Sequence, residues 1–320
     1  MIQTNNLRRE FGRRFRRQTI TAVEGLNLHI QPRELFGLVG PDGAGKTTTL
    51  RMLAGILKPT AGTASIDGHD IIEEPESIKR HLGYMPQQFG LYRDLTVDEN
   101  LNFICDIFDI VGIDRQQRIQ ELLDFTGLHS FRKRRSRQLS GGMQKKLGLT
   151  AALVHHPKVL LLDEPTTGVD PVARREFWDI LTNLHTQGST VIVSTPYMDE
   201  AERCNRVGLM YGGKLMVCDT PSAIKRMLPG NVLALQADNR LEAKEVLRKL
   251  DSVLDIQPYG NVLNIIVKKD TRSADIETHL LSENIQVYSL RPTPPRLEET
   301  FIFFVQQYST SPAFSKEKTP

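Results

Sequence analysis

The sequence predicts an α/β fold, and three observations carry that prediction. Leu35-Phe36-Gly37-Leu38-Val39 is an apolar run of strand length, and Gly40-Pro41-Asp42-Gly43-Ala44-Gly45-Lys46-Thr47 joins it to the helix-like Thr48-Thr49-Leu50-Arg51-Met52-Leu53. Val159-Leu160-Leu161-Leu162 and Thr190-Val191-Ile192-Val193-Ser194 are further unbroken apolar runs, the pattern of parallel strands covered on both faces. From about residue 230 the character changes, with strand patterns at 232–236, 253–257, 262–267 and 286–290 around helical patterns at 241–250 and 274–283. The 320 residues are enough for one large domain and a smaller second one.

The N-terminal segment carries Arg8, Arg9, Arg13, Arg14, Arg16 and Arg17 around Phe11 and Phe15, and a second basic cluster joins Arg132, Lys133, Arg134, Arg135 and Arg137. Each reads first as solvated surface and second as a patch for anionic lipid headgroups, worth about 1 kcal/mol per basic residue near a membrane. Nucleic acid is the third choice, and a net charge of only +3 argues against a general nucleic-acid surface. The Gly-x-x-x-x-Gly-Lys-Thr loop has a direct physical reading. Its glycines let backbone N–H groups approach phosphates, Lys46 brings a mobile charge to the β and γ phosphates, and the Thr47 hydroxyl ligates Mg²⁺. Gly40, Pro41, Asp42, Gly43, Ala44, Gly45, Lys46, Thr47 and Thr48 are therefore expected to bind a nucleoside triphosphate. A glycine-rich turn matching by accident would not need a buried strand before it and a helix after it.

Further along, Thr96 followed by Glu99 makes a capping box that opens a helix. The run from Val159 delivers Asp163 to the C-terminal end of its strand, where ligands bind in open α/β sheets, although an acidic pair there also fits a helix N-cap. Asp170 before Pro171 suits an N-cap as well. The β-α-β-β-α-β order after residue 230, with Tyr259-Gly260-Asn261 as a turn between the middle strands, predicts a ferredoxin-like α+β domain. The polar residues 309–320 are expected to be a disordered tail.

Two segments carry a family resemblance. Leu139-Ser140-Gly141-Gly142-Met143-Gln144 resembles the signature of ABC ATPases, with Met143 where many members have Gln, and Val159 to Pro165 resembles their Walker B strand running into a catalytic glutamate. The resemblance covers about the first 225 residues. It implies a P-loop NTPase of ABC type over 1–225, a RecA-like core with a helical subdomain at about 88–155; the ferredoxin-like domain, placed at 226–308, is expected to serve regulation or dimerisation. It further implies that Asp163 holds Mg²⁺ and that Glu164 polarises the attacking water. Gln87, with Gln88 as fallback, resembles the Q-loop glutamine that reaches both metal and water. Phe11, or else Phe15, matches the adenine-stacking aromatic, and Thr166 to Pro171 resembles the D-loop that links paired sites through Asp170. Ser140, Gly141 and Gly142 would close over the γ-phosphate of a second subunit. Pro196 stands where the family places a switch histidine, which puts hydrolysis at this site in question. Pro295-Arg296-Leu297-Glu298-Glu299-Thr300-Phe301 is similar to the C-terminal element of daunorubicin-type export subunits.

These implications converge on the ATP-binding subunit of an ABC-2 type exporter of drugs, antibiotics or lipid-like molecules. It would pair with a second ATP-binding subunit and bind a separate membrane permease, with no nucleic acid as partner. No apolar stretch approaches the roughly 18 residues of a membrane span, and no secretory signal pattern is present, so a cytoplasmic chain held peripherally at the inner face of the membrane is expected. Cys105, Cys204 and Cys218 lack metal spacing and read as reduced thiols. The competing readings are a soluble ABC ATPase without a permease and a nucleotide-gated regulatory subunit. Against the first, the Walker motifs are not split by long coiled coils and no second ATPase unit is present in the 320 residues.

Overall fold

Apolar runs become the interior of a central sheet, and the loops that leave their C-terminal ends carry the chemistry. The structure is a computed structural model and describes residues 1–13 and 16–310. It divides into two units, Met1–Cys218 and Asp219–Pro320.

In the first unit, β1 (Ile2–Arg13) and β2 (Arg16–Ile30) form a long antiparallel hairpin. After β3 (Leu35–Val39) and α1 (Lys46–Leu53) come β4 (Ala61–Ile66) and the short β5 (His69–Asp70), which complete an antiparallel sheet of order β2-β1-β4-β5. Then follow α2 (Pro75–His81), β6 (Leu82–Met85), α3 (Val97–Ile107), α4 (Gly112–Thr126), α5 (Gly141–Leu153) and β7 (Val159–Asp163). The unit ends with α6 (Pro171–Thr186), β8 (Thr190–Thr195), α7 (Met198–Ala201), β9 (Arg206–Tyr211) and β10 (Lys214–Asp219), whose last residue falls across the division. The second sheet has the order β10-β9-β3-β8-β7-β6, with β9, β3, β8, β7 and β6 parallel. All of β3, β7 and β8 is buried, as their unbroken apolar runs require. Phe36, Leu38, Leu161 and Ile192 from these strands pack with Leu50 and Met52 of α1 in one core.

The expected capping box is present at α3: the Thr96 side chain accepts from the Glu99 backbone and Glu99 bonds back to Thr96. Cys105 and Cys204 are buried and Cys218 is half-buried, and none of the three forms a disulfide. Burial pushes the Cys204 thiol up to about 12, so it stays protonated and unreactive. Among the described residues no helix is long and apolar enough to cross a membrane.

The second unit comprises α8 (Pro221–Arg226), β11 (Gly230–Ala237), α9 (Arg240–Leu247), β12 (Val253–Tyr259), β13 (Val262–Lys268), α10 (Ser273–Ser282), β14 (Val287–Thr293) and α11 (Leu297–Thr310). Its sheet is antiparallel in the order β12-β13-β11-β14, the ferredoxin-like arrangement for a β-α-β-β-α-β chain. Strand alternation sends Ile265 into a core with Leu235, Leu247 and Leu280, and Ile266 to the opposite face with Val232, Leu228 and Phe303. Two expected boundaries move. The division lies at 218/219 rather than 225/226, because α8 packs on α11 and so belongs with the later unit. The expected tail at 309–320 starts too early: α11 continues through Thr310, and 311–320 lie outside the described residues.

Candidate nucleotide site

The loop after β3 is shaped by two close approaches that only glycine permits. A Cβ on Gly40 would lie 2.2 Å from the Met210 carbonyl oxygen of β9, and one on Gly45, at φ 102°, would lie 2.4 Å from that of Ala22 on β2. The loop therefore closes tightly and turns Lys46 inward. Its buried ammonium donates to the carbonyls of Gly40 (2.8 Å) and Pro41 (3.1 Å) and lies 3.1 Å from Glu164 Oε1. A cavity of about 310 Å³ is lined by Asp42, Gly43, Ala44, Gly45, Lys46, Thr47 and Thr48, together with Ala22, Gln87 and Glu164.

Strand order brings the acidic pair to this loop. With β8 between β3 and β7, the Ser194 hydroxyl donates to Asp163 Oδ1 at 2.7 Å while the Thr47 hydroxyl donates to the same oxygen at 3.0 Å. Asp163 Oδ2 is buried without a protein partner, and burial raises the pKa of this carboxyl. A buried hard oxygen beside a threonine hydroxyl is the donor set that suits Mg²⁺, so the residues present fit that ion. Glu164 holds φ 46°, the left-handed region that a non-glycine residue occupies only under restraint. Its N–H donates to Ser194 Oγ at 2.9 Å, and its Oε2 accepts from Gln87 Nε2 at 2.8 Å and from the Thr167 hydroxyl at 3.3 Å. Gln87 rather than Gln88 therefore reaches the acid; Gln88 lines a neighbouring apolar groove instead.

Other expected site residues stand apart from this cavity. Phe11 on β1 faces Ile20, is 41% exposed and stacks under the Arg9 guanidinium at 4.7 Å; Phe15 lies outside the described residues. Ser140 caps α5, accepting from Met143 N at 3.3 Å. Gly142 is buried, and a Cβ there would sit 2.6 Å from the Ala173 Cβ, so its missing side chain is needed for packing α5 on α6. Gly141 lines a second cavity of about 520 Å³ with Gln87, Thr167 and Gly168. Asp170 caps α6, accepting from Val172 and Ala173 at 3.1 and 3.0 Å. Pro196 follows β8, whose last carbonyl, that of Thr195, accepts from Gly40 N at 3.3 Å.

Sequence reading missed two polar residues here. Ser194 looked like one more strand position, although a hydroxyl at the end of a buried strand beside an acidic one was a usable signal. Asn100, fully buried, bonds the backbone of Tyr92, Leu95 and Thr96 and the Ser136 hydroxyl. The basic run beside Ser136 also has partners: Arg132 bonds Asp98 at 2.8 Å and Arg137 lies 2.9 Å from Asp94. Next to this segment an apolar groove of about 380 Å³ opens between β6, α3 and α5, lined by Met85, Phe89, Leu91, Ile104 and Phe108 among others.

Known proteins resemble this chain. A family profile described as "ABC transporter" matches residues 23–167. "Probable multidrug ABC transporter ATP-binding protein YbhF" of Escherichia coli (strain K12) is 42% identical over 91% of the chain, which spans only 50% of that relative. "Linearmycin resistance ATP-binding protein LnrL" of Bacillus subtilis (strain 168) is 32% identical over 94% of the chain and 97% of its own length. "Daunorubicin/doxorubicin resistance ATP-binding protein DrrA" of Streptomyces peucetius is 38% identical over 71% of the chain and 70% of its own. Among solved structures, a dimeric ATP-binding cassette in a post-hydrolysis state bound to ADP and Pi is similar with a TM-score of 0.63 and 28% identity, covering 69% of this chain and 98% of that one.

Proposed function

This chain belongs to the ABC transporter family, and from that premise we propose that it binds and hydrolyses ATP to drive an exporter of ABC-2 type. The observation that carries the reading is the meeting of Lys46, Thr47, Gln87 and Glu164 around one cavity of about 310 Å³, with Asp163 bonded to Thr47 behind it. Water attacks the γ-phosphorus, the bond to the β–γ bridging oxygen breaks, and ADP and phosphate result. Glu164 orients that water and takes its proton, while Gln87 steadies the carboxylate through Oε2. The γ-phosphate competes with Glu164 for the Lys46 ammonium, which frees Glu164 Oε1 for the water. Mg²⁺, held by Thr47, Asp163 and Gln87, would neutralise charge on the β and γ phosphate oxygens.

A single loop covers only one side of the nucleotide. Ser140 and Gly141 at the start of α5, with Asp170, suit a role on the nucleotide of a second cassette, in this chain's continuation, a second copy or a different subunit. ATP would then favour the closed pair by its differential affinity for that state. Phe11, half-exposed beside β2, is suited to stacking the adenine. The apolar groove suits a membrane permease, and the likeness to linearmycin and daunorubicin/doxorubicin resistance proteins suggests drug-like cargo. Size exclusion in Mg-ATP tests the reading: Lys46→Ala should not bind nucleotide, whereas Glu164→Gln should bind it and stay associated. A Glu164→Gln protein that remains monomeric, alone and with its partner cassette, rejects the closed pair.

Pro196 favours a second reading, in which this site holds ATP and turns it over slowly while a partner site hydrolyses. Proline has no side-chain hydrogen bond to fix the γ-phosphate and water. Under that reading Pro196→His raises ATPase activity; brisk hydrolysis by the unaltered protein, with no gain from histidine, rejects it.

A further inference from the structure

We propose that Lys145 is a positioning residue of the hydrolytic site: from the second turn of α5 its ammonium ties together the backbone at Gln87 and at Glu164, and so sets how those two side chains meet. The inference rests on the ATPase reading and adds a residue that lies outside every phosphate-binding motif.

Lys145 Nζ donates to the Gln87 carbonyl at 2.7 Å and to the Glu164 carbonyl at 3.4 Å. The three residues belong to separate segments: Gln87 follows β6, Glu164 follows β7, and Lys145 comes from α5 between them. Gln87 and Glu164 both lie just beyond their strands, and only the Glu164 N–H still reaches the neighbouring strand, at the Ser194 carbonyl (3.2 Å). Glu164 also sits at a positive φ, a conformation that persists only where surrounding contacts impose it. On its amide side Ser194 supplies that restraint, and on its carbonyl side Thr167 N (3.3 Å) and Lys145 do. The 2.8 Å bond between Gln87 Nε2 and Glu164 Oε2 spans the same two loops that Lys145 joins.

The use of the charge supports this role. The neighbouring Lys146 makes an ordinary ion pair with Glu176 at 2.7 Å. Lys145 instead directs its ammonium at two carbonyls, and among the described residues no carboxylate lies within ion-pair distance of it. Burial lowers its pKa against the opposing pull of Asp163 and Glu164. A lysine desolvated to hold two loop carbonyls gains directional hydrogen bonds that are stronger than neutral ones. The same side chain lines both the apolar groove and the cavity beside Gly141, but not the phosphate cavity. Its removal should therefore change the reactive geometry without weakening nucleotide binding.

The test uses the full chain and compares Lys145→Met, which keeps the stem and deletes the charge, with Lys145→Arg, which restores donors. We expect Lys145→Met to lower kcat for ATP roughly ten- to hundredfold, the scale of a misplaced reacting group, with KM for ATP within about twofold and Lys145→Arg recovering most of the loss. Hydrogen exchange in 85–90 and 163–168 should also quicken in Lys145→Met, a readout that holds even if turnover is slow. An unchanged kcat with unchanged exchange overturns the inference. So does a parallel change in kcat, KM and melting temperature, or a failure of arginine to rescue, because each marks a general structural role. Glu164→Gln run alongside separates the two levels: if it abolishes hydrolysis while Lys145→Met does not affect it, the ATPase reading stands and the positioning role falls.

Discussion

Under the proposed function, Asp163 serves metal binding at the expense of the stability of the fold without nucleotide. One carboxylate oxygen accepts from Thr47 and Ser194, and the other is buried without a partner. Burial raises its pKa in the folded chain above the unfolded value, so the folded state binds the proton more tightly. Its effect on stability is most favourable below the unfolded pKa and declines as pH rises through the folded one. Above the folded pKa the ionised group is thus destabilising, a cost that the proposed Mg²⁺ would offset. Asp163→Asn is expected to raise the melting temperature of the nucleotide-free protein at pH 7 by a few degrees, from a gain of about 1–2 kcal/mol, and to abolish Mg-dependent hydrolysis. Thermal melts across pH check this, and a lower melting temperature for the variant at pH 7 contradicts it. Thr47 and Asp163, the proposed Mg²⁺ ligands, were legible in the sequence because each ends or follows a recognisable run. Ser194 was not, since its role depends on β8 lying between β3 and β7.

At the scale of elements, the join between the Gln87 loop and the α5 entry is built from paired backbone. Val97 N and Asp98 N donate to the carbonyls of Arg134 and Arg132, and Ser136 N donates to that of Leu95. Asn100 holds the turn from inside, so its side chain has no route to water. Asn100→Ala should cost about 2–3 kcal/mol, because it strands buried backbone groups, and should lower the urea midpoint while leaving the m value unchanged. A shift under about 0.5 kcal/mol would place the restraint elsewhere. The arginine run read as solvated surface or lipid contact; the structure shows Arg132 and Arg137 engaged with Asp98 and Asp94. The charge pattern alone could not reveal this, because those carboxylates are more than thirty residues away.

For the whole molecule, the division at 218/219 separates every nucleotide motif from a unit with its own core on each sheet face. A chain ending at Thr220 keeps β10 whole and is expected to bind ATP within about twofold of the full chain and to melt cooperatively. Loss of ATP affinity in such a folded truncation would place part of the site in the second unit. Residues 226–308 were read as one domain from alternating periods of two and of 3.6. The expected boundary at 225/226 cut through α8, since a six-residue helix carries no sign of the surface it covers.

What the sequence determined by itself was contiguous: the loop from Gly40 to Thr48, the run into Asp163 and Glu164, the Thr96 cap and the β-α-β-β-α-β order of the second unit. In each case neighbours along the chain carry the whole signal, whether a backbone conformation, a periodicity or a cap. Tertiary structure alone decided that Gln87 and not Gln88 meets Glu164, that Gly142 makes room for Ala173, and that Ser194 and Lys145 support the acid. Those contacts depend on strand order and on the placing of α5 over two loops, and burial selects such arrangements through the packing of the chain as a whole, which no local pattern specifies.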